Sequence, residues 1–224
     1  MIMSKALFLE PHYGDIAWSC SGLVAQNRQD SIIVSIFPPK RKHYRIQFKG
    51  IKYRRKKREE IKFSNLLSVE IIYLKYKSAF LRGRNLEDLF DKILNPAEEE
   101  QVLQLREYLS DLIRKRDVSE VYCPMAQRNQ IDHLIVKKAV AGLKQIDFDI
   151  YYYEDFPNFL PVSRKLQVST GLKAIKVDIS EVIEEKIQGI LQYESLVEPY
   201  FKSKEILVVL IRKTPFETFW KEDI

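Results

Sequence analysis

Pro11-His12-Tyr13-Gly14-Asp15 sets an imidazole and a carboxylate three residues apart, directly after the apolar run Ala6 to Leu9. A histidine nitrogen and a carboxylate oxygen at the end of a strand make half of a divalent-metal site, and zinc takes that donor pair readily. The plainer reading is that Asp15 only caps the helix that follows. A second stretch, Gln130-Ile131-Asp132-His133, repeats the arrangement, because a strand-like run ends at Pro124, turns, and enters a helix-like pattern in which Asp132 also suits a cap. The chain has three histidines, and the third, His43, lies in a basic loop. Its two cysteines, Cys20 and Cys123, lack the partners of a nucleophile and read as packing residues.

These residues need strands and helices to hold them. Pro11 stops a strand because proline donates no ladder hydrogen bond. Ser31 to Phe37 is a second β-branched run, ended by Pro38-Pro39, with a helix expected between the two from Ser19 to Gln29. Arg54 to Leu67 reads as a helix, Val69 to Leu74 as a strand, and Leu86 to Phe90 as a short helical piece. Pro96 opens a helix to Arg116, buried along Val102, Leu105, Leu109, Leu112 and Ile113, with acids in its first turn and Arg114 to Arg116 in its last. Val118 to Cys123 and Ile150 to Tyr153 are further strands, flanking a helix from Asp132 to Leu143. Phe156 to Pro161 is irregular, Leu166 to Val177 one or two strands, Ile179 to Gln192 a helix, and Ile206 to Ile211 a closing strand. Alternating strands and helices imply an α/β fold with a mostly parallel central sheet between helical layers, as a single domain over residues 1–224. In such sheets ligands bind beyond the carboxyl ends of the strands, where His12 and Asp15 fall.

The bulk numbers exclude several classes. With 30% charged and 46% hydrophobic residues the composition is that of a globular protein. No apolar run reaches the roughly 18 residues of a membrane helix, and the N-terminus lacks a signal-peptide pattern. Two cysteines make no disulfide framework, so a cytoplasmic setting is expected. The net charge of +6 is concentrated between Lys40 and Arg58, a stretch that attracts anions. No helix-turn-helix, zinc-finger or RNA-binding signature accompanies it, so nucleic acid is not the expected partner.

Pro11-His12-Tyr13-Gly14-Asp15 followed by Ser19-Cys20-Ser21-Gly22 resembles the signature of the PIG-L/LmbE zinc-dependent N-deacetylases, commonly Pro-His-x-Asp-Asp and a Ser-Cys-Gly-Gly-like turn. The stretch ending in Asp132-His133 resembles the family's His-x-Asp-His signature. Other landmarks fall in the same order: Arg58-Glu59-Glu60, Tyr152-Tyr153-Glu154-Asp155-Phe156-Pro157, Lys186, Tyr193-x-Ser195 and Glu217-Thr218-Phe219-Trp220. The resemblance implies a Rossmann-like three-layer sandwich and one zinc ion held by His12, Asp15 and His133. It also implies a small-molecule, amino-sugar-like or anionic substrate contacted by Arg58, Arg82, Tyr153, Glu154 and Asp155.

Two departures qualify what the resemblance implies. Gly14 stands where the family has its general base, and Gln130 where it has the histidine that steadies the oxyanion. Lys75, Lys77 and Ser78 replace a usually acidic segment. A general base contributes about 10²–10⁴-fold and one oxyanion donor about 10²–10³-fold. Asp132, Glu154 and Asp155 are the available substitute bases. The expected function is therefore hydrolysis of an N-acyl amino sugar or related amide with altered catalytic residues. The alternative is an inactive relative that binds a sugar-like or phosphorylated ligand or a partner protein.

Overall fold

The computed structural model describes residues 5–39, 53–143, 145–155 and 171–223. His43, most of the basic Lys40 to Arg58 stretch, the irregular Phe156 to Pro161 segment and the start of the Leu166 to Val177 strand lie outside the described residues.

Seven strands form one sheet: β1 (Lys5–Glu10), β2 (Ser31–Ser35), β3 (Glu70–Tyr73), β4 (Val118–Pro124), β5 (Asp149–Tyr153), β6 (Leu172–Asp178) and β7 (Phe216–Glu222). Their order is β3-β2-β1-β4-β5-β7-β6. The first five are parallel, and β7 pairs antiparallel with both β5 and β6. The sheet is thus mostly parallel, as the alternation of elements implied.

Strand β1 explains why the sheet is covered on both faces. Leu7 and Leu9 enter one apolar cluster with Ile32, Val34, Val121 and Cys123. Ala6 and Phe8 enter another with Ile33, Tyr122 and Tyr153. The period-two alternation of a strand sends successive side chains to opposite faces, so a continuous apolar run requires helices on each. Helices α1 (Asp15–Ser19), α2 (Ser21–Gln26) and α3 (Tyr53–Leu67) pack on the second cluster through Ile16, Val24 and Phe63. Helices α4 (Pro96–Arg116) and α5 (Ile131–Ala141) pack on the first through Val102, Leu105, Leu109, Ile135 and Val136. Helix α4 spans the predicted bounds because its start is over-determined. Asn95 accepts from the Glu98 N–H, Glu98 accepts from the Asn95 N–H, and Pro96 needs no donor partner.

Two expectations are corrected. The single helix from Ser19 to Gln29 is instead α1 and α2, broken at Cys20. Helix α1 starts early because Gly14, at φ 96°, turns the chain into it. The break is stabilised from a distance: the buried Glu217 carboxylate accepts the Gly22 and Leu23 N–H groups, each at 2.8 Å. Lys186 neutralises Glu217 and also donates to the Trp18 carbonyl.

The second correction concerns Ile206 to Ile211, expected as the closing strand. It lies in helix α8 (Lys204–Arg212), after α6 (Ile183–Leu191) and the short α7 (Glu194–Val197). A short β-branched run does not separate helix from strand by periodicity alone. Ser203 decides it by accepting the Ile206 N–H as an N-cap. Leu207 and Ile211, one turn apart, then pack against Trp18, Ile187 and Ile190. The closing strand is β7, where Glu217 and Phe219 alternate inward.

The late landmarks of the sequence pair with one another. Besides Lys186 and Glu217, the Tyr193 hydroxyl donates to Glu60 at 2.7 Å, and the Ser195 N–H and hydroxyl both donate to Glu59. These residues join α3 to the α6–α7 region.

Candidate metal centre

From β1 the sheet grows through β2 and β3 on one side, and the chain then crosses back to β4 on the other, so the cleft at the carboxyl ends of β1 and β4 is the sheet's topological switch point. His12 follows β1, and Asp15 is the first residue of α1. His133 stands in the first turn of α5, after β4. Two residues that the chain separates by half its length therefore meet there. One candidate ligand atom from each of His12, Asp15 and His133 lies within 4.8 Å of the others.

Each histidine is held through one ring nitrogen. His133 Nδ1 lies 2.8 Å from Asp155 Oδ1, while its buried Nε2 has no hydrogen-bond partner and lies 3.4 Å from Asp15 Oδ2. His12 Nε2 lies 2.8 Å from Asp132 Oδ2, and its Nδ1 lies 3.8 Å from Asp15 Oδ2. Metal-bound histidines characteristically give their second nitrogen to a carboxylate. The unpartnered Nε2 and the His, His, carboxylate donor set fit zinc or a similar divalent ion, with room for a further ligand.

The charges agree. Burial opposes the His133 imidazolium, but Asp15 and Asp155 outweigh it and raise its pKa to about 10. Burial also works against the Asp15 and Asp132 carboxylates, yet the neighbouring cations hold both below the ordinary range. A metal ion taking His133 Nε2 displaces that proton.

The remaining site residues fall into distinct places. Gly14 lies against Tyr193 and Leu196, with its N–H donating to the buried Glu10 at 3.0 Å. Gln130 is the N-cap of α5 and is partly exposed. Asp132 is buried and fully engaged by His12, Arg82 and the Ala79 N–H. Asp155 accepts from the Gln127 N–H as well as facing His133. Glu154 is partly buried and accepts from Trp220. Tyr153 is a core residue whose hydroxyl donates to the Leu9 carbonyl. Arg82 is buried in ion pairs with Asp132 and Glu98, and Arg58 is exposed on α3.

Two features escaped the sequence reading. Lys56 is partly buried on α3 within range of Asp15's charge; burial lowers its pKa, against the pull of Glu59 and Asp15. Its signal was helical spacing, since the buried positions Glu60, Phe63 and Leu67 extend one turn back to Lys56. The other is a buried carboxyl pair. Glu10 Oε2 and Glu60 Oε1 are both buried with no hydrogen-bond partner among the described residues, and the charge of Glu60 opposes ionisation of Glu10. Two buried carboxyls whose charges repel favour the state in which one of them keeps its proton.

Burial accordingly raises the Glu60 pKa to about 7. A carboxyl raised in the folded state keeps its proton longer than the unfolded chain does. Its contribution to stability is full below the unfolded value of 4.5 and is lost as pH rises through about 7. Glu60→Gln keeps an acceptor for Tyr193 and does not titrate. Thermal melts at about pH 5 and pH 8 are expected to show a smaller loss for this variant than for the parent, the difference being a few degrees.

No protein-family model matches the chain. The chain is 29% identical over 208 residues to the 2'-N-acetylparomamine deacetylase of Streptomyces fradiae, covering 85% of this chain and 73% of that protein. In structure it is similar to the zinc-inhibited form of a teicoplanin deacetylase, with a TM-score of 0.76, 17% identity, and coverage of 98% of this chain and 99% of that one. The likeness to PIG-L/LmbE deacetylases therefore holds. It extends to the N,N'-diacetylchitobiose deacetylase of Pyrococcus horikoshii, with a TM-score of 0.61, 16% identity, and coverage of 96% and 82%. The chain thus shares the overall α/β fold of these structures. None of the helices among the described residues is long and apolar enough to cross a membrane.

Proposed function

We propose that this chain is a metal-dependent amide hydrolase, most simply a zinc enzyme, that removes the acyl group from an N-acyl amino sugar, with its acid–base chemistry weakened. The observation that carries the reading is the convergence of His12, Asp15 and His133, with His133 Nε2 facing Asp15 and making no hydrogen bond among the described residues. The sequence kinship with a deacetylase of an N-acetylated amino sugar supports the substrate class. Residues 1–224 act as one domain in this reading.

When bound, the ion supplies Lewis-acid polarisation of the amide carbonyl and acidifies a water molecule. The chain's own residues do the rest. Asp155 and Asp132 hold His133 and His12 with their free nitrogens toward Asp15. Gln130, at the start of α5, offers an uncharged amide donor suited to the acyl oxygen. Lys56 supplies positive charge on the α3 side, suited to a hydroxyl-rich or anionic substrate. Hydrolysis breaks the C–N bond, forms a C–O bond and moves a proton to the departing amine. Gly14 offers no group for that transfer, which leaves the step slow.

The test is acetate release from N-acetylglucosamine and from an N-acetylated aminoglycoside, with zinc and with chelator. Slow release that chelator abolishes is expected. Sugar binding without any release, measured calorimetrically, would favour the binding-only alternative.

A further inference from the structure

The connection between β3 and α4 is long and contains two single-turn 3-10 segments, Ala79–Arg82 and Asp88–Phe90, as its regular structure. Connections of this length within a compact fold usually have a function. Here the segment closes around one carboxylate. The Ala79 N–H lies 3.0 Å from Asp132 Oδ1, and Arg82 Nη2 lies 2.7 Å from the same oxygen. Asp132 Oδ2 is the atom that meets His12 Nε2.

Arg82 is itself fixed from every side. Its side chain is 4% exposed. Nε donates to Glu98 at 3.3 Å, and Nη1 donates to the Gln101 side chain at 3.1 Å and to the Lys77 carbonyl. The guanidinium lies 5.5 Å from the centre of the Phe37 ring, which is also a neighbour of His12. Glu98 is wholly buried and belongs to the N-terminal cap of α4, so the rigid end of a long helix anchors the series. A planar guanidinium with donors in a fixed fork transmits geometry in a way that a lysine ammonium does not.

We propose that Arg82 is a positioning residue for the metal centre: it holds Asp132 against His12 Nε2, so that His12 offers Nδ1 to the metal. This rests on the metal-centre reading above. It gives Arg82 a different role from the substrate contact suggested by its place in the sequence, because its donors face protein acceptors.

Cobalt(II) is the probe, read by its d–d absorption and by chelator competition for the dissociation constant. Arg82→Lys keeps the charge and loses the fork. It is expected to weaken cobalt binding about 10–100-fold, the range seen when groups supporting metal ligands are removed, and to change the absorption band. Arg84→Met is the control. Arg84 donates to Glu98 and Asp91 and staples the same connection without contacting Asp132. It should lower the melting temperature while leaving cobalt affinity within about twofold of the parent, by the same comparison. Equal affinity and an equal spectrum in Arg82→Lys and parent would overturn the proposal, provided His12→Ala abolishes binding. If His12→Ala also binds cobalt normally, the metal-centre reading fails and this proposal with it.

A measurement on the unaltered protein removes dependence on how the variants fold. Nitrogen-15 spectra of the histidine rings should show His12 protonated at Nε2, with zinc shifting the Nδ1 resonance. A zinc-induced shift at Nε2 instead would contradict the assignment.

Discussion

His133→Ala should reduce the zinc content of protein purified without chelator from about one equivalent to near zero, and metal-dependent amide hydrolysis should vanish with it. The expectation follows from position. His133 supplies a buried ring nitrogen that has no hydrogen-bond partner among the described residues and faces Asp15, and Asp155 fixes its direction. Asp155→Asn tests the same arrangement more gently. It removes the carboxylate behind His133 and should weaken zinc binding about 10–100-fold. Elemental analysis and chelator competition read both variants, with circular dichroism as the check on folding. Unchanged metal content in His133→Ala would show that the ion is held elsewhere.

The second large effect concerns turnover. The unmodified protein is expected to hydrolyse N-acetyl amino sugars with kcat about 10²–10⁴-fold below the enzyme median of about 10 s⁻¹, the loss expected from a missing general base. Replacing Gly14 by aspartate alone will not repair this. Gly14 sits at φ 96°, and a Cβ there would lie 2.5 Å from Leu196 Cδ1. A left-handed conformation costs a side-chain-bearing residue about 1–2 kcal/mol. The useful variant is Gly14→Asp with Leu196→Ala to make room and Gln130→His to restore a cationic donor. It should gain about 10²-fold or more in kcat with little change in KM, because the restored groups act in the transition state. Brisk zinc-dependent turnover by the parent would contradict the account and indicate a base supplied by another residue.

Much of this was legible in the sequence because local rules and tertiary context agreed. Pro96, Asn95 and Glu98 define the start of α4 by themselves, and the run Ala6 to Leu9 is apolar enough for a strand covered on both faces. The convergence of His12, Asp15 and His133 was legible because residues at strand ends meet once the sheet is parallel. What the sequence hid depends on partners distant in the chain. The break at Cys20 needs Glu217 to receive two N–H groups, and no local pattern announces that. Ile206 to Ile211 has the composition of a strand but the cap and packing partners of a helix. The ion pairs of Arg82 with Glu98 and Asp132, from two other elements, have no local pattern to announce them. Gly14 read as a missing acid, whereas the fold also uses it as a left-handed turn pressed against Tyr193 and Leu196.

The most direct test of the central claim is an anomalous difference map at the zinc absorption edge, from crystals grown near neutral pH with zinc present. One strong peak is expected, bonded to His12 Nδ1, an Asp15 oxygen and His133 Nε2, at about 2.0–2.2 Å from each. A map without a peak among these three residues, or with its principal peak at another cluster, would contradict it.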